Sequence, residues 1–390
     1  MIIIFSLPLF LIAIPIVIVT WLLKPFVVIR FGPIRNDVFG HFVFDPEYYL
    51  SWKEISESKT YDFFYYQGKE MPNEHWPMMV NRSMHVYSLV AYLDKVNRLI
   101  PGWQRHFAAL NEYSCRDIRG FLRKTKPHIN FTDHEIESGN SFLKEVGIKQ
   151  NDQIVCVISR DPVYKETFIK KGNRDWSYHS YRDSDIANYQ KTINTLTNHG
   201  FFVFRMGKGV KCRIDDSHHN VFDYANSKYR SDFLDIFLSA NCKFFIIGES
   251  GLMAVPEAFR VPIVFVNLSC IEYAITWNSN IISIPKKYWL KEEKRFMKFK
   301  EIFASGAGRF LQTALYEKLG IELIENTPDE ILDVSMEMQH RLDGTWETTE
   351  EEEVLQMCFW DMFPKSELHG DEIHARIGSS FLRQNQDLLN

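Results

Sequence analysis

Cysteine is scarce in this chain, and its distribution argues against the sites that cysteine-rich sequences form. The 390 residues include only 6 cysteines, and none of them belongs to a C-x-x-C pair. Two of these cysteines, Cys156 and Cys242, lie in or beside apolar runs of the kind that form buried strands. We therefore expect free, buried thiols in a reducing compartment instead of a disulfide framework or a structural zinc site.

An excess of positive charge is also missing. Lys and Arg total 45 against 50 Asp and Glu, which gives a formal net charge of -5. This balance lacks the basic signature of a nucleic-acid-binding protein, so we expect no nucleic-acid partner. The sequence has neither internal repeats nor a low-complexity linker. With 45% hydrophobic and 15% aromatic residues, 390 residues are enough for two domains with large cores and some extensions.

Charge is absent altogether from residues 2–23, an apolar segment that contains Pro8, Pro15 and Trp21. Its length is sufficient to cross a hydrocarbon core of ~30 Å, so we predict a single-pass transmembrane anchor. Positive residues follow the segment and none precedes it, which places the body of the protein in the cytoplasm by the positive-inside rule. The alternative is that the segment forms a buried helix or an interfacial anchor.

Apolar runs and helical patterns alternate in the second half of the chain. A Thr132–Glu135 capping box begins a helix, and the following strand-like runs cover 154–158, 201–205, 243–247 and 262–266. Helices are expected between them, one of them capped by Ser231. This alternation predicts an α/β fold with a doubly wound, Rossmann-like parallel sheet.

The first half opens in a similar way, because the strand-like run 26–31 leads into a glycine-containing polar loop. We therefore predict two Rossmann-like domains behind the membrane anchor. The expected division is an anchor at 1–24, a first domain at 25–140, a second domain at 141–320 and a helical C-terminal extension at 321–390.

Polar residues gather where the predicted strands of the second domain end. The carboxyl ends of parallel strands form the ligand-binding edge of such sheets, arginine can clamp a phosphate, and helix N-termini attract anions. Each residue also has a structural interpretation, such as a surface ion pair for Arg160 and Asp161, a helix cap for Arg182, or a solvent-facing position for Glu257. The candidate phosphate-binding residues are Arg160, Asp161, His179, Arg182, Arg205, Gly207, Glu249, Ser250, Gly251 and Glu257.

The polar loop of the first domain supplies candidates for binding a second substrate. Arg35, Asn36 and Gly40 are candidate binding residues for an acceptor molecule. Asp37 or His41 could act as the general base that deprotonates an acceptor hydroxyl. A purely structural, hydrogen-bonded role for His41 remains the alternative.

Several strings together resemble a family of bacterial glycosyltransferases of surface-polysaccharide loci. They are RFGPIRNDVFGHF, VCVISRD, HSYRDSDIANY, VFRMG, RSDFLDIFLSANCKFFIIGESGL and VPEAFRVP, in this order over residues 27–265. The resemblance implies the two-domain GT-B fold and a nucleotide-sugar donor. VISRD is also similar to the H-x-R motif of O-fucosyltransferase-like enzymes, which implies that Arg160 binds donor phosphate. Ile158 stands where that motif has histidine.

The resemblance implies a membrane-anchored glycosyltransferase that moves a sugar from a nucleotide-sugar donor to a glycan or lipid-linked acceptor. We expect neither a metal nor a further cofactor. The triplet Asp183-Ser184-Asp185 is similar to the metal motif of the other major glycosyltransferase fold, but Asp183 or Ser184 is well placed as a helix cap. The alternatives are a nucleotide-sugar epimerase or hydrolase on the same fold, or a non-catalytic membrane scaffold.

Overall fold

The chain folds into two compact units, seen in a computed structural model that describes residues 2–113, 115–168 and 177–389. Unit 1 comprises residues 1–136 and 258–260, and unit 2 comprises residues 137–257 and 261–390. The last segment, 321–390, which we assigned to a separate extension, clusters with unit 2.

Unit 1 is built on a small parallel sheet with strand order β1-β2-β3. Gly32 in β1 is needed for close packing, because an added Cβ would lie 2.1 Å from the backbone oxygen of Ala108. The helices and strands of unit 1 are α1 Ile2–Leu23, β1 Val28–Ile34, α2 Phe39–Ile55, β2 Thr60–Tyr66, α3 Trp76–Ser83, β3 His85–Val86, α4 Val90–Asn97 and α5 Phe121–Lys124.

Unit 2 contains a larger sheet and most of the helices. The elements from the unit boundary onward are α6 Asp133–Glu145, β4 Ile154–Ile158, α7 Val163–Phe168, α8 Gln190–Asn198, β5 Phe202–Arg205, β6 Val221–Phe222, α9 Asp232–Asn241, β7 Phe244–Ile247, α10 Ala254–Ala258, β8 Ile263–Leu268, β9 Ile281–Pro285, β10 Lys287–Leu290, β11 Arg295–Phe296, α11 Phe299–Ser305, α12 Thr313–Lys318, β12 Ile321–Ile324, α13 Pro328–Leu342, α14 Glu350–Met362, β13 Arg376–Ile377 and α15 Ser379–Gln384.

The main sheet of unit 2 has the order β13-β9-β8-β7-β4-β5-β6, and all of its neighbouring strands are parallel. Counted along the chain from β4, this is the order 3-2-1-4-5-6-7. The direction of winding reverses between β4 and β7, as in a doubly wound fold. Every residue of β4 is buried, which explains its uninterrupted apolar sequence. The predicted α/β class and parallel sheet are therefore confirmed for unit 2.

The local signals for helix starts are also confirmed. Ser231 accepts a hydrogen bond from the Leu234 amide and caps α9. Thr132 and Glu135 exchange the two hydrogen bonds of a capping box at the start of α6. Such caps satisfy amides that the first helical turn leaves unpaired, so they can be recognised from a few adjacent residues.

Other sequence predictions need correction. The strands of the unit 1 sheet lie side by side in chain order, so the direction of winding does not reverse there. Among the described residues, the doubly wound arrangement occurs in unit 2 alone. A separate antiparallel sheet, β11-β10-β12, was not predicted. The prediction of buried thiols is correct for Cys156, Cys242 and Cys270. Cys212 and Cys358 are exposed instead.

The apolar segment 2–23 does form a helix, α1, but the transmembrane prediction is not supported. No helix in the described part of the chain is both long and apolar enough to cross a membrane. One stripe of α1, which includes Ala13 and Val17, packs into a core with Val90, Leu93 and Val96 of α4 and nearby residues of β1. The indole N–H of Trp21 also donates to Asn97 over 3.0 Å.

Candidate functional site

The reversal between β4 and β7 marks the edge of unit 2 where a ligand is expected to bind. The two strands are adjacent in parallel register, with Ile158 opposite Ile247. Their carboxyl ends therefore meet, and the segments that follow them carry Arg160 and Glu249. In doubly wound sheets, ligands bind in the crevice at this reversal of strand order.

Arg160 and Arg182 converge at this edge. Arg160 Nη1 donates to the Glu249 carbonyl oxygen over 3.2 Å, and Arg182 Nη2 donates to the same oxygen over 3.0 Å. Arg160 Nε also donates to Asp183 over 3.1 Å, while Arg182 Nε pairs with the Glu249 carboxylate over 2.7 Å. Two guanidinium groups that sequence places 22 positions apart thus share one carbonyl acceptor.

Lys286 is a third cation at the same edge, and the sequence analysis missed it. Its ammonium group donates to the backbone oxygens of Tyr181 over 3.2 Å and Asp183 over 2.6 Å, and the side chain is buried. Lys286 is the first residue after β9, and Arg160 is the second residue after β4. A basic residue just after an apolar run was therefore the signal in the sequence that could have identified Lys286. We call Arg160, Arg182, Asp183, Glu249 and Lys286 the strand-end cluster.

Positive charge is concentrated at the strand-end cluster, where Asp183 and Glu249 neutralise part of it. Burial and the neighbouring charge of Arg182 lower the pKa of Arg160, although Asp183 and Glu249 oppose this shift. Burial likewise lowers the pKa of Lys286 and raises that of Asp183. Carboxylates of Asp183, Glu249 and Glu325 act on these three cations, yet Arg160 and Arg182 still repel each other, and an anion with several oxygens would relieve that repulsion.

The turn at residues 248–251 contributes less than predicted. The Ser250 amide donates to the Gly248 oxygen over 2.7 Å, and the Leu252 amide donates to the Ser250 hydroxyl over 3.3 Å. Gly251 begins a single 3-10 turn, and α10 after it has only 5 residues. The amides of Ser250 and Leu252 are therefore already used in the fold, while Glu249 positions the arginines.

Two other predicted donor residues are Asp161 and Arg205. Asp161 accepts from the backbone amides of Val163 over 2.9 Å and Lys211 over 2.6 Å. Arg205 is buried, and its closest carboxylate is Asp223, with Nη1 and Oδ1 separated by 3.5 Å. Burial lowers the pKa of Arg205. The two hydrogen bonds of Asp161 indicate a structural role, whereas Arg205 stays a candidate as a buried cation at the end of β5.

The remaining donor candidates are Gly207, His179 and Glu257. Gly207 has a φ of 144°, and an added Cβ would lie 2.8 Å from Val210, so its role is conformational. The ring of His179 lies against that of Tyr178, with 3.9 Å between centroids, in the 3-10 turn that ends at Arg182. Glu257 is buried in α10, which removes the solvent-facing interpretation.

The acceptor candidates of unit 1 divide into structural and surface residues. Asn36 is buried, and its side-chain amide donates to the carbonyl oxygens of Gly68 and Glu70, so it anchors a loop. Arg35 and Asp37 form an exposed ion pair of 2.8 Å. Gly40 lies in the first turn of α2 instead of in a loop. None of these contacts by itself indicates substrate binding.

His41 lies one turn before Asp45 in α2, and Cys115 approaches both residues. The His41 Nδ1 atom is 3.2 Å from Asp45 Oδ2 and 2.9 Å from Cys115 Sγ. One ligand atom from each of the three residues lies within 4.8 Å of the others. Imidazole, carboxylate and thiolate can together bind Zn²⁺, and a carboxylate-oriented imidazole can also serve as a general base. The absence of metal remains a prediction from sequence.

Comparisons with solved structures identify distant similarities. The chain is similar to ADP-heptose LPS heptosyltransferase II of E. coli, with 11% identity over 61% of this chain and 84% of that chain, at a TM-score of 0.32. It is also similar to a glycosyl transferase family 9 protein from Veillonella parvula DSM 2008, with 9% identity over 80% of this chain and 97% of that chain, at a TM-score of 0.46.

A third similar structure is the iron-containing dodecameric glycosyltransferase TibC from enterotoxigenic E. coli H10407. Its identity is 11% over 62% of this chain and 60% of that chain, with a TM-score of 0.31. No protein-family model matches the chain, and the comparison with curated proteins also finds no match.

Proposed function

We propose that the protein is a glycosyltransferase that uses a nucleotide-sugar donor, with the donor diphosphate bound by the strand-end cluster. The observation that carries the proposal is the convergence of Arg160 and Arg182 on the Glu249 carbonyl oxygen at the reversal of strand order. A diphosphate offers several oxygens to such paired guanidinium groups. The resemblance of residues 27–265 to bacterial glycosyltransferases supports the same reaction class.

In the proposed reaction, an acceptor hydroxyl attacks the anomeric carbon while the bond from that carbon to the phosphate oxygen breaks. The nucleoside diphosphate leaves with the bonding electron pair, and Arg160, Arg182 and Lys286 stabilise its additional negative charge. The hydroxyl proton passes to a general base. We propose His41 for this role in preference to Asp37, because His41 contacts Asp45 within a partly enclosed cluster, whereas Asp37 lies in an exposed ion pair.

The proposal also covers the acceptor, the location of the reaction and its metal requirement. The acceptor is a glycan or a lipid-linked molecule, and transfer takes place at the cytoplasmic face of a membrane. The reaction needs no metal, since protein cations supply the positive charge at the diphosphate. Thermal unfolding with sugar nucleotides distinguishes this reaction from an epimerase, a hydrolase or a scaffold function.

The test begins with the thermal unfolding of the purified chain in the presence of UDP-, GDP-, CMP-, dTDP- and ADP-sugars. ADP-heptose is included because the names of similar structures mention it. We expect one nucleotide class to raise the unfolding temperature, since a ligand that binds only the folded state stabilises it. Stabilisation by none of them, in a folded sample, would favour a scaffold. Turnover of the sugar nucleotide without an acceptor would favour an epimerase or hydrolase.

The second step compares Arg160→Ala with Arg295→Ala in the same unit. Arg295 forms an exposed ion pair with Glu301 and provides the matched loss of an arginine away from the strand-end cluster. We expect Arg160→Ala to weaken donor binding about tenfold or more, because a charge-assisted hydrogen bond contributes about 1.5–3 kcal/mol. Full transfer with an unchanged donor KM in Arg160→Ala would refute the assignment.

A further inference from the structure

The outward face of α1 is a large apolar surface that unit 1 leaves uncovered. The fully buried side chains Ala13 and Val17 face α4, whereas Leu11 is 63% and Leu22 is 70% exposed. These residues all lie on one helix, so its two sides have opposite surroundings. The exposed large apolar residues that form this outward face are Leu7, Leu11, Ile12, Ile14, Ile16, Ile18, Val19, Leu22 and Leu23.

Two more apolar side chains extend this surface near the end of α1. Phe26 is 89% exposed after the helix, and Leu99 is 82% exposed just after α4. The two segments are neighbours, since Trp21 of α1 contacts Asn97 of α4. Exposing several neighbouring apolar side chains of this size to water is unfavourable. A contiguous apolar patch therefore marks a surface that is covered by something else.

The charges beside this surface all have one sign. Lys24 lies over the Trp21 ring at the end of α1, Lys95 lies over the Tyr92 ring of α4, and Tyr92 in turn contacts Phe10 of α1. Residues 2–26 contain no carboxylate, and residues 85–107 contain only Asp94. Asp94 is buried and bonded to Tyr65 and Arg98. An apolar face with Lys24 and Lys95 beside it, on segments that expose no carboxylate of their own, matches an anionic lipid surface.

We infer that α1 lies in the plane of a membrane interface, with its outward face inserted among the lipids and Lys24 and Lys95 against their anionic headgroups. The polar bond between Trp21 and Asn97 and the packing on α4 hold the opposite face on the protein. A second copy of the chain is a poorer occupant, because a two-fold contact through this face would bring the same cations together. The inference does not depend on the donor site.

The first experiment is flotation of the purified full chain with vesicles of phosphatidylcholine, alone or with about one third phosphatidylglycerol. We expect binding to both, with stronger binding to the anionic vesicles that falls as salt increases. Lys24→Glu with Lys95→Glu should lower binding to the anionic vesicles about tenfold and change binding to the neutral vesicles little. Equal binding of this variant and the wild type to anionic vesicles would remove the electrostatic part of the inference.

The second experiment replaces apolar residues. Leu11→Glu with Leu22→Glu should lower binding to both vesicles at least tenfold, because the inserted face then carries charge. The matched control is Val354→Glu with Met357→Glu on α14, where the side chains are 55% and 62% exposed in unit 2. It should bind like the wild type. If the α1 variant does not fold, Phe26→Ser with Leu99→Ser removes exposed apolar groups without loss of packing.

Two results would overturn the inference. One is vesicle binding that the α1 and Phe26/Leu99 variants leave unchanged. The other is a dimer, measured by light scattering without lipid, that the Leu11→Glu and Leu22→Glu variant dissociates. The latter result would make the outward face an interface between copies. Stabilisation of the same variants by the donor nucleotide reports on the donor site separately, so the two proposals can fail independently.

Discussion

Arg160 and Arg182 donate hydrogen bonds to the same atom, the carbonyl oxygen of Glu249, over 3.2 Å and 3.0 Å. The same residue places its carboxylate 2.7 Å from Arg182. Glu249 thus holds the two guanidinium groups together and partly neutralises them. Because of this double role, we expect the charge of Glu249 to influence the affinity of the strand-end cluster for an anion.

Glu249→Gln should bind the nucleoside diphosphate about three- to tenfold more tightly than the wild type. The amide oxygen can still accept from the backbone N–H groups of Ser269 and Cys270, which now donate to the carboxylate over 2.7 Å and 3.2 Å. The negative charge that repels phosphate is removed. Isothermal titration calorimetry measures the change, with Glu301→Gln as the exposed ion-pair control. Weaker binding in Glu249→Gln would show that its carboxylate is needed for the geometry.

Lys286→Met should weaken diphosphate binding and lower stability together. The ammonium group links the backbone of Tyr181 and Asp183, so its loss leaves two buried carbonyl oxygens without this donor and loosens the segment that carries Arg182. We expect a loss of about 1–3 kcal/mol in the free energy of unfolding. Urea unfolding and calorimetry measure the two effects. Lys291→Met, which breaks an exposed ion pair with Glu322, should change neither.

Asp62→Asn should remove a pH-dependent part of the stability of unit 1. Burial raises the pKa of Asp62, but hydrogen bonds from Arg30, Lys53 and Tyr49 outweigh it and lower the pKa from 3.8 to about 2. A carboxyl group with a depressed folded-state pKa stabilises the fold above its unfolded pKa. That contribution, about 2 kcal/mol, is lost as the pH falls from about 4 to 2.

The measurement for Asp62 is urea unfolding across this pH range. The wild type should lose stability more steeply than Asp62→Asn between pH 4 and pH 2, and the exposed carboxylate variant Asp216→Asn should follow the wild type. Parallel curves for the wild type and Asp62→Asn would contradict the shifted pKa.

Chelation by EDTA should leave the donor-induced rise in unfolding temperature unchanged. Arginine and lysine side chains supply the positive charge at the strand-end cluster, so the diphosphate needs no magnesium ion there. Any metal held by His41, Asp45 and Cys115 would change the unfolding temperature of the chain without donor, and His41→Ala would abolish that effect. A donor response that disappears with EDTA and returns with Mg²⁺ would refute metal independence.

The sequence by itself determined the local elements. The buried strand β4 and the Ser231 cap depend on adjacent residues, whose apolar pattern and hydroxyl groups are visible in the chain. It also indicated that Arg160 follows a strand at the ligand-binding edge. These features could be predicted because their physical causes lie within a few positions of one another.

Only the tertiary structure decided which distant residues meet. It joined Lys286 and Arg160 through Asp183, placed Arg205 beside Asp223, and used Asn36 to anchor a loop. It also gave α1 one face against α4 and one face toward the surroundings, although the sequence of the helix is apolar on all sides. Such outcomes depend on contacts across many residues, which the local pattern of hydrophobicity and charge does not contain.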